Sequence, residues 1–395
     1  MTTAERVPAA DILAPARLGP VTVRNRIIKA ATAEGMTPDG LVTDELIDFH
    51  RRLAQGGIGV TTLAGCAVAP DAPSATGQIV LRREAVPGLR RLTDAVHAEG
   101  AAASVQINHA GPVADVRANG LPAIAPGKLF SLISLRNSRP ATAADIERVT
   151  QNFVDAALLA VESGFDVVEL HMGHNYFVSS FLSPKLNKRT DGFGGALENR
   201  ARVARDVARR VRDAVQDKAA IIAKLSMDDG VPGGTWLDEA LQTAQWLDQD
   251  GSLDALEMTV GSSLYNPMYL FKGEAPVADF AAVMPQPVKL GVQMFGKLAL
   301  KEYPYRDLYL LEQARQFLPV VKTPLILLGG VTDRAGMDTA MAEGFGFVAI
   351  GRALLREPDL INQIAANPGK RSLCVHCNRC MPTVYTGTRC VLTTP

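Results

Sequence analysis

The feature that most limits how this chain can fold is an alternation repeated eight times. Short apolar runs rich in β-branched residues fall at 26–32, 58–64, 102–108, 165–171, 220–226, 254–260, 324–329 and 346–351. Amphipathic helical patterns fall between them, at 44–55, 87–99, 142–163, 196–216, 236–249, 306–317 and 333–343. Thr142 opens the third pattern as an N-cap, and Gly164 closes it. Strands that alternate with helices build a parallel sheet. Two closures compete, a (β/α)8 TIM barrel and an open doubly wound sheet. An open sheet that binds a dinucleotide carries G-x-G-x-x-G after a strand. That spacing is absent here, so the α/β reading is the barrel.

Three segments lie outside the repeat. Residues 11–24 read as an N-terminal hairpin that plugs the barrel floor. Residues 261–305 form a long insertion after strand six, and its Tyr265, Tyr269 and Phe271 point to an ordered lid that contacts substrate. Four of the five cysteines crowd into the last 22 residues. The expected organisation is one barrel domain over 1–370 and a Cys-rich tail over 371–395. With 47% apolar residues the core can be large. Lys plus Arg and Asp plus Glu balance at 41 each, which argues against nucleic acid and anionic membrane as partners. No apolar run approaches ~18 residues, and the N-terminus lacks the apolar stretch of a signal peptide. A soluble cytoplasmic protein is expected.

In a barrel of this kind the chemistry sits at the C-terminal ends of the strands. Strand one ends in Ala30, Ala31 and Thr32, and strand two reaches Gly65. These are small residues suited to lie against a flat ring. Strands three and five bring Gln106 and Lys224, an amide and a cation that match a pyrimidine edge and a developing negative charge. Strands seven and eight bring Gly329, Gly330, Gly351 and Arg352, a phosphate-holding set at the usual place. A phosphate at one side and a flat heteroaromatic across the mouth describe FMN. Strand four ends in His171, His174 and Tyr176, within DVVELHMGHNYFVSSFLSP (166–184). A chain with six histidines that spends two of them there, beside a phenol, is placing chemistry.

Several stretches carry a family resemblance: NRIIKAATAEG (25–35), VQINHAG (105–111), VVELHMGHNYFVSSFLSPKLNKRTDGFGGALENR (167–200), IIAKLSMDDG (221–230), LLGGVTD (327–333) and FVAIGRALLREPDL (347–360). The chain resembles the Old Yellow Enzyme family of FMN-dependent oxidoreductases over nearly its whole length. The resemblance implies a (β/α)8 barrel with FMN, reduced by NADH or NADPH, that passes hydride to an activated alkene such as an enone or enal. It implies that His171 and His174 donate to the substrate carbonyl, flavin N5 delivers hydride, and Tyr176 protonates the α-carbon. Lys224 stands where the family often has arginine, and Ala33 where many members have Thr, Cys or His. Asn187, Arg189, Asp191, Glu198, Asn199 and Arg200 are expected to support the strand-four loop. Family members form monomers, dimers and larger assemblies, so a homo-oligomer is compatible with the chain.

The tail, CVHCNRCMPTVYTGTRC, spaces Cys374, Cys377, Cys380 and Cys390 as C-x2-C-x2-C-x9-C. This is metal-ligand arithmetic. Multidomain members of the family carry a [4Fe–4S] cluster just after the barrel, with a longer last gap. Three readings stay open: an iron–sulfur cluster, a zinc site, or unliganded cysteines in a cap. The alternative activity they suggest is an oxidative flavoprotein, an amine or saturated-ketone dehydrogenase that passes electrons through a Cys-bound cluster. A non-catalytic flavin-binding module is a third reading.

Overall fold

A computed structural model describes residues 10–116, 120–131, 136–284, 286 and 288–393. Eight parallel strands close into a barrel: β1 (Ile27–Lys29), β2 (Val60–Ala67), β3 (Ala102–Asn108), β4 (Val167–Met172), β5 (Ala220–Ser226), β6 (Ala255–Thr259), β7 (Leu325–Leu328) and β8 (Phe347–Ile350). Each pairs with its neighbours in sequence, and β8 pairs with β1. The outer helices include α1 (Asp44–Gln55), α2 (Val86–Ala98), α3 (Ala143–Glu162), α4 (Leu197–Val215), α5 (Leu237–Asp250), the short α6 (Leu311–Ala314) and α7 (Arg334–Glu343). α3 begins as its sequence indicates: Thr142 Oγ1 accepts from Asp145 N, and the Asp145 carboxylate accepts from Thr142 N.

Two apolar layers hold the barrel. The larger packs the helices on the outer strand faces, with Phe153, Val168, Leu170, Val207, Ile221 and Leu256 fully buried. The smaller fills the barrel floor. There Ala16, Leu18 and Val23, from the antiparallel hairpin Ala16–Leu18/Val21–Val23, pack on Val167, Ile222, Ala255, Ile326 and Phe347. The hairpin thus closes the N-terminal end, leaving the opposite mouth for chemistry.

Two departures from the sequence reading have clear causes. The helix expected at 306–317 is reduced to Leu311–Ala314 and a following single turn, Arg315–Phe317. Before it the chain runs irregularly, with Leu308 at φ 50°, and folds back so that Leu308 N donates to Gly330 O at 3.1 Å. β2 runs on to Ala67 through a register shift between Leu63 and Cys66, where Gly65 takes φ 59°. Among its described residues the insertion contains three helices, Met268–Phe271, Val277–Val283 and Val288–Ala299. The tail lies against the barrel: Thr388 N donates to Glu34 O at 2.7 Å, and Ser372 N to Thr332 O at 2.9 Å.

Candidate active site

The end of β4 is the most unusual backbone in the mouth. His174 and Asn175 both take left-handed conformations, at φ 59° and 61°. Both residue types enter this region more readily than most, yet for any non-glycine it carries strain, so surrounding contacts must hold the turn. Asn175 is buried and donates to Asp229 Oδ1 at 3.1 Å. Asp229 also accepts from Ser183 Oγ at 2.6 Å and Thr235 N at 2.9 Å. His174 N donates to Ser226 Oγ at 3.0 Å, at the end of β5. Behind the turn, Asn187 donates to Phe181 O and Phe193 O, and Arg200 reaches Leu182 O, Gly195 O and Glu239.

The turn gathers His171, His174 and Tyr176. The two imidazoles meet directly, with Nε2 of His171 2.8 Å from Nδ1 of His174. The His174 Nε2 lies 3.0 Å from Thr259 Oγ1, and the His171 Nδ1 is buried with no partner. The Tyr176 ring packs on His171 at 4.3 Å between centroids. Burial, followed by the charge of Lys224, lowers the His174 pKa to about 3. Burial, His174 and Lys224 push His171 far down as well. Both imidazoles are therefore neutral at pH 7, and one N–H lies between them. Burial raises the Tyr176 phenol, opposed by a hydrogen bond to Ser74. The sequence reading placed both histidines toward substrate, whereas the structure first pairs them with each other.

Below the mouth lies a charged layer. Gln106 Nε2 donates to Glu169 Oε1 at 2.5 Å. Lys224 Nζ lies 3.0 Å from Glu169 and 2.6 Å from Glu257. The register makes this unavoidable, since Gln106 pairs with Glu169 and Lys224 with Glu257 across adjacent strands. Burial lowers the Lys224 pKa, but the two carboxylates outweigh it and hold the ammonium charged. Sequence reasoning missed Glu169 and Glu257. Their period-2 parity with His171 and Thr259 could have revealed them as inward-facing.

Around the rim, Ala31, Thr32, Gly65, Gly330, Gly351 and Arg352 keep partial exposure, while Ala30 and Gln106 are buried. Gly329 and Gly330 take φ 98° and 79°, and Cβ atoms there would meet Leu310 and Leu308 N at 2.7 Å. Arg352 donates to Lys272 O at 3.0 Å and to Asn378 Oδ1, so it ties the insertion to the tail. Tyr269 is turned to structural work: it packs over Gly230, its hydroxyl donates to Asp228 Oδ2 at 3.2 Å, and Lys272 sits 3.8 Å from its ring centre. Tyr265 is 40% exposed on a segment joined to the site through Ser263 N, which donates to His174 O at 3.1 Å.

The residues suit a flavin phosphate. Thr32 Oγ1 and Thr332 Oγ1, after β1 and β7, are buried without protein partners. Gln106 and Lys224 carry donors inside the barrel, and the small residues at 30, 31 and 65 would leave room for a flat ring.

In the tail, Cys374, Cys377, Cys380 and Cys390 are free and line one small cavity with Arg352 and Arg356. Arg356 Nη1 approaches Cys390 Sγ at 3.8 Å. Burial pushes the Cys380 thiol up to about 12, and Cys374 also rises. His376 is withdrawn, stacked on Tyr305 at 3.4 Å. Among the described residues, no three His, Cys, Asp or Glu side chains stand together as a metal site.

Fold and mouth define a flavin-dependent barrel oxidoreductase. The chain belongs to the NADH:flavin oxidoreductase / NADH oxidase family, the Old Yellow Enzyme family, whose model matches residues 11–261. It is 49% identical to the 4,4'-dithiodibutanoate disulfide reductase of Rhodococcus erythropolis, over 99% of this chain and 96% of that one. It is 32% identical to a metal reductase of Desulforamulus reducens, over 95% of this chain and 52% of that one. The chain thus spans about half the length of that relative. Among solved structures, 2-naphthoyl-CoA reductase superposes with a TM-score of 0.81 at 24% identity, over 95% of this chain and 55% of that one. Morphinone reductase in complex with tetrahydroNAD superposes at 0.71 with 21% identity, over 93% and 94%. The protein is an FMN-dependent NAD(P)H oxidoreductase. No helix among the described residues is long and apolar enough to cross a membrane.

Proposed function

We propose that the protein is an NAD(P)H-dependent reductase of activated double bonds, of the enone and enal class. The observation that carries this is the β4 turn, which gathers two neutral imidazoles and a phenol at the barrel mouth. FMN, when bound, supplies the hydride. Ala30, Ala31, Thr32 and Gly65 would border its ring, Gln106 and Lys224 its pyrimidine edge, and Gly329, Gly330, Gly351 and Arg352 its phosphate. A substrate carbonyl takes the N–H that His171 and His174 now share. Neutral donors fixed in a buried site stabilise the oxygen as it gains charge. Tyr176 gives its proton to the α-carbon, and its raised pKa keeps that proton in place until it is needed. The segment carrying Tyr265 borders the substrate.

A second reading has its own support, the 49% identity to a disulfide reductase across nearly the whole chain. The same apparatus suits an organic disulfide. Hydride adds to one sulfur, the S–S bond breaks, and Tyr176 protonates the thiolate that leaves with the electron pair. In the test, purified yellow protein is bleached anaerobically with NADH or NADPH. It is then mixed with 2-cyclohexenone or with 4,4'-dithiodibutanoate. Recolouring by the enone supports the first reading, and recolouring by the disulfide alone supports the second. Bleaching by an amine in place of NAD(P)H, with iron in the protein, would replace both by the oxidative alternative.

A further inference from the structure

We infer that Ser74, held in place by Gln78, positions the Tyr176 hydroxyl and stabilises the phenolate after its proton leaves. The inference rests on the reading of Tyr176 as the proton donor.

Ser74 lies on the loop after β2, and its Oγ accepts from the Tyr176 hydroxyl at 3.4 Å. Ser74 Oγ in turn donates to Gln78 Oε1 at 3.1 Å, and Ser74 N donates to the same oxygen at 2.6 Å. Gln78 is fixed from its other end. Its Nε2 donates to Gly65 O and to Asn108 Oδ1, the latter at 3.3 Å. The loop itself is tied down by Ala110 N to Ala72 O at 2.8 Å and Asp115 N to Pro73 O at 3.1 Å.

This chain has a direction. Gln78 Oε1 occupies the Ser74 proton, so the Ser74 lone pair faces the phenol and Tyr176 is held as a donor. Once Tyr176 has given up its proton, the phenolate is a stronger acceptor than a carboxamide oxygen. Ser74 O–H can then swing to it, while Ser74 N keeps its bond to Gln78. A hydrogen bond to a charged acceptor is roughly twice as strong as a neutral one. Ser74 thus favours the product side of proton transfer without taking up the proton itself. It is a positioning residue, acting through Tyr176.

The test compares wild type, S74A, S74C and Y176F as FMN-loaded proteins. Ultraviolet difference titration, with Y176F as the blank, reads the Tyr176 ionisation directly. Stopped-flow reoxidation by 2-cyclohexenone is divided by reoxidation by ferricyanide, which takes electrons without a tyrosine proton. In S74A the phenol titrates at higher pH, and the enone-to-ferricyanide ratio falls by about tenfold, a part of the ~10²–10⁴ that a general acid supplies. The alkaline limb of the enone rate moves upward with the titration. S74C, near-isosteric and a weaker donor, moves the same way and stands in if S74A fails to fold. A Ser74 variant with an unchanged titration and ratio, beside a slowed Y176F, overturns this inference alone. A Y176F that keeps the wild-type ratio overturns the tyrosine reading and this inference together.

Discussion

Two buried lysines, one inside the barrel and one outside it, show how carboxylate number decides a charge. Lys224 on β5 sits between Glu169 at 3.0 Å and Glu257 at 2.6 Å. Lys29 on β1 meets one carboxylate, Glu34 at 3.1 Å, with Thr62 O at 3.1 Å and the Phe49 ring 5.3 Å away. Burial works to lower both ammonium pKa values. Two carboxylates reverse that for Lys224, which rises. One carboxylate does not reverse it for Lys29, which also feels Lys224 and falls. The inner lysine is held as a cation inside the barrel, where the proposed reading puts the flavin edge. The outer one belongs to a brace: Glu34 also lies 3.5 Å from His50 Nε2 and accepts from Ala64 N at 3.2 Å, joining the ends of β1 and β2 to α1.

The sharpest way to break this comparison is Lys224→Met. It strands two carboxylates in the barrel, and removing one partner of a buried ion pair costs about 3–5 kcal/mol. The variant is expected to lose that much in denaturant unfolding and to purify with little FMN. A variant that keeps its flavin content and its midpoint would show that Lys224 neither neutralises the layer nor meets the cofactor.

Lys29→Met should do less, because His50 and Ala64 N remain to Glu34. A loss of about 3 kcal/mol is expected, at the lower edge of the buried-pair range. The folded fraction should retain FMN with an unshifted reduction potential, measured by dye equilibration. A potential shift as large as that of a Lys224 variant would mean that both lysines act on the flavin, and the contrast would dissolve.

How much of this could be read beforehand follows from which interactions are local. Eight strands and the outward helical faces are set by short-range periodicity, so they stand in the sequence at nearly their final bounds. The side-chain identities at the strand ends are legible for the same reason, since position on a strand fixes which face a residue takes. Pairings across strands are not, because they need register. Glu169 and Glu257 look like stray charges in apolar runs until β4, β5 and β6 are aligned and Lys224 falls between them. The helix expected at 306–317 fails for a related reason. Its amphipathic pattern is outbid by the close approach of 306–310 to Gly329 and Gly330, where a side chain would clash. Gln78 and Ser74 lie in a loop with no period at all, so only the folded neighbourhood marks them.

The smallest expected effect sharpens the comparison through pH. Burial raises the Glu257 carboxyl to about 7, helped by Glu169 and opposed by Lys224. Its folded value exceeds the ordinary 4.5, so the folded state binds the extra proton. Stability from this group is complete below pH 4.5 and is lost as pH rises through 7. Glu34 has the opposite sign. Burial would raise it, but Lys29 and His50 bring it below 4.5, so its contribution is present at neutral pH and lost in acid. Glu257→Gln removes the inner titration and leaves Lys224 its pair with Glu169. Relative to wild type, the variant should gain about 1 kcal/mol in unfolding free energy between pH 6 and pH 8. Denaturant curves at the two pH values give this difference directly. A gap between variant and wild type that does not change with pH would mean that Glu257 is ionised throughout, and that the inner lysine faces two full negative charges.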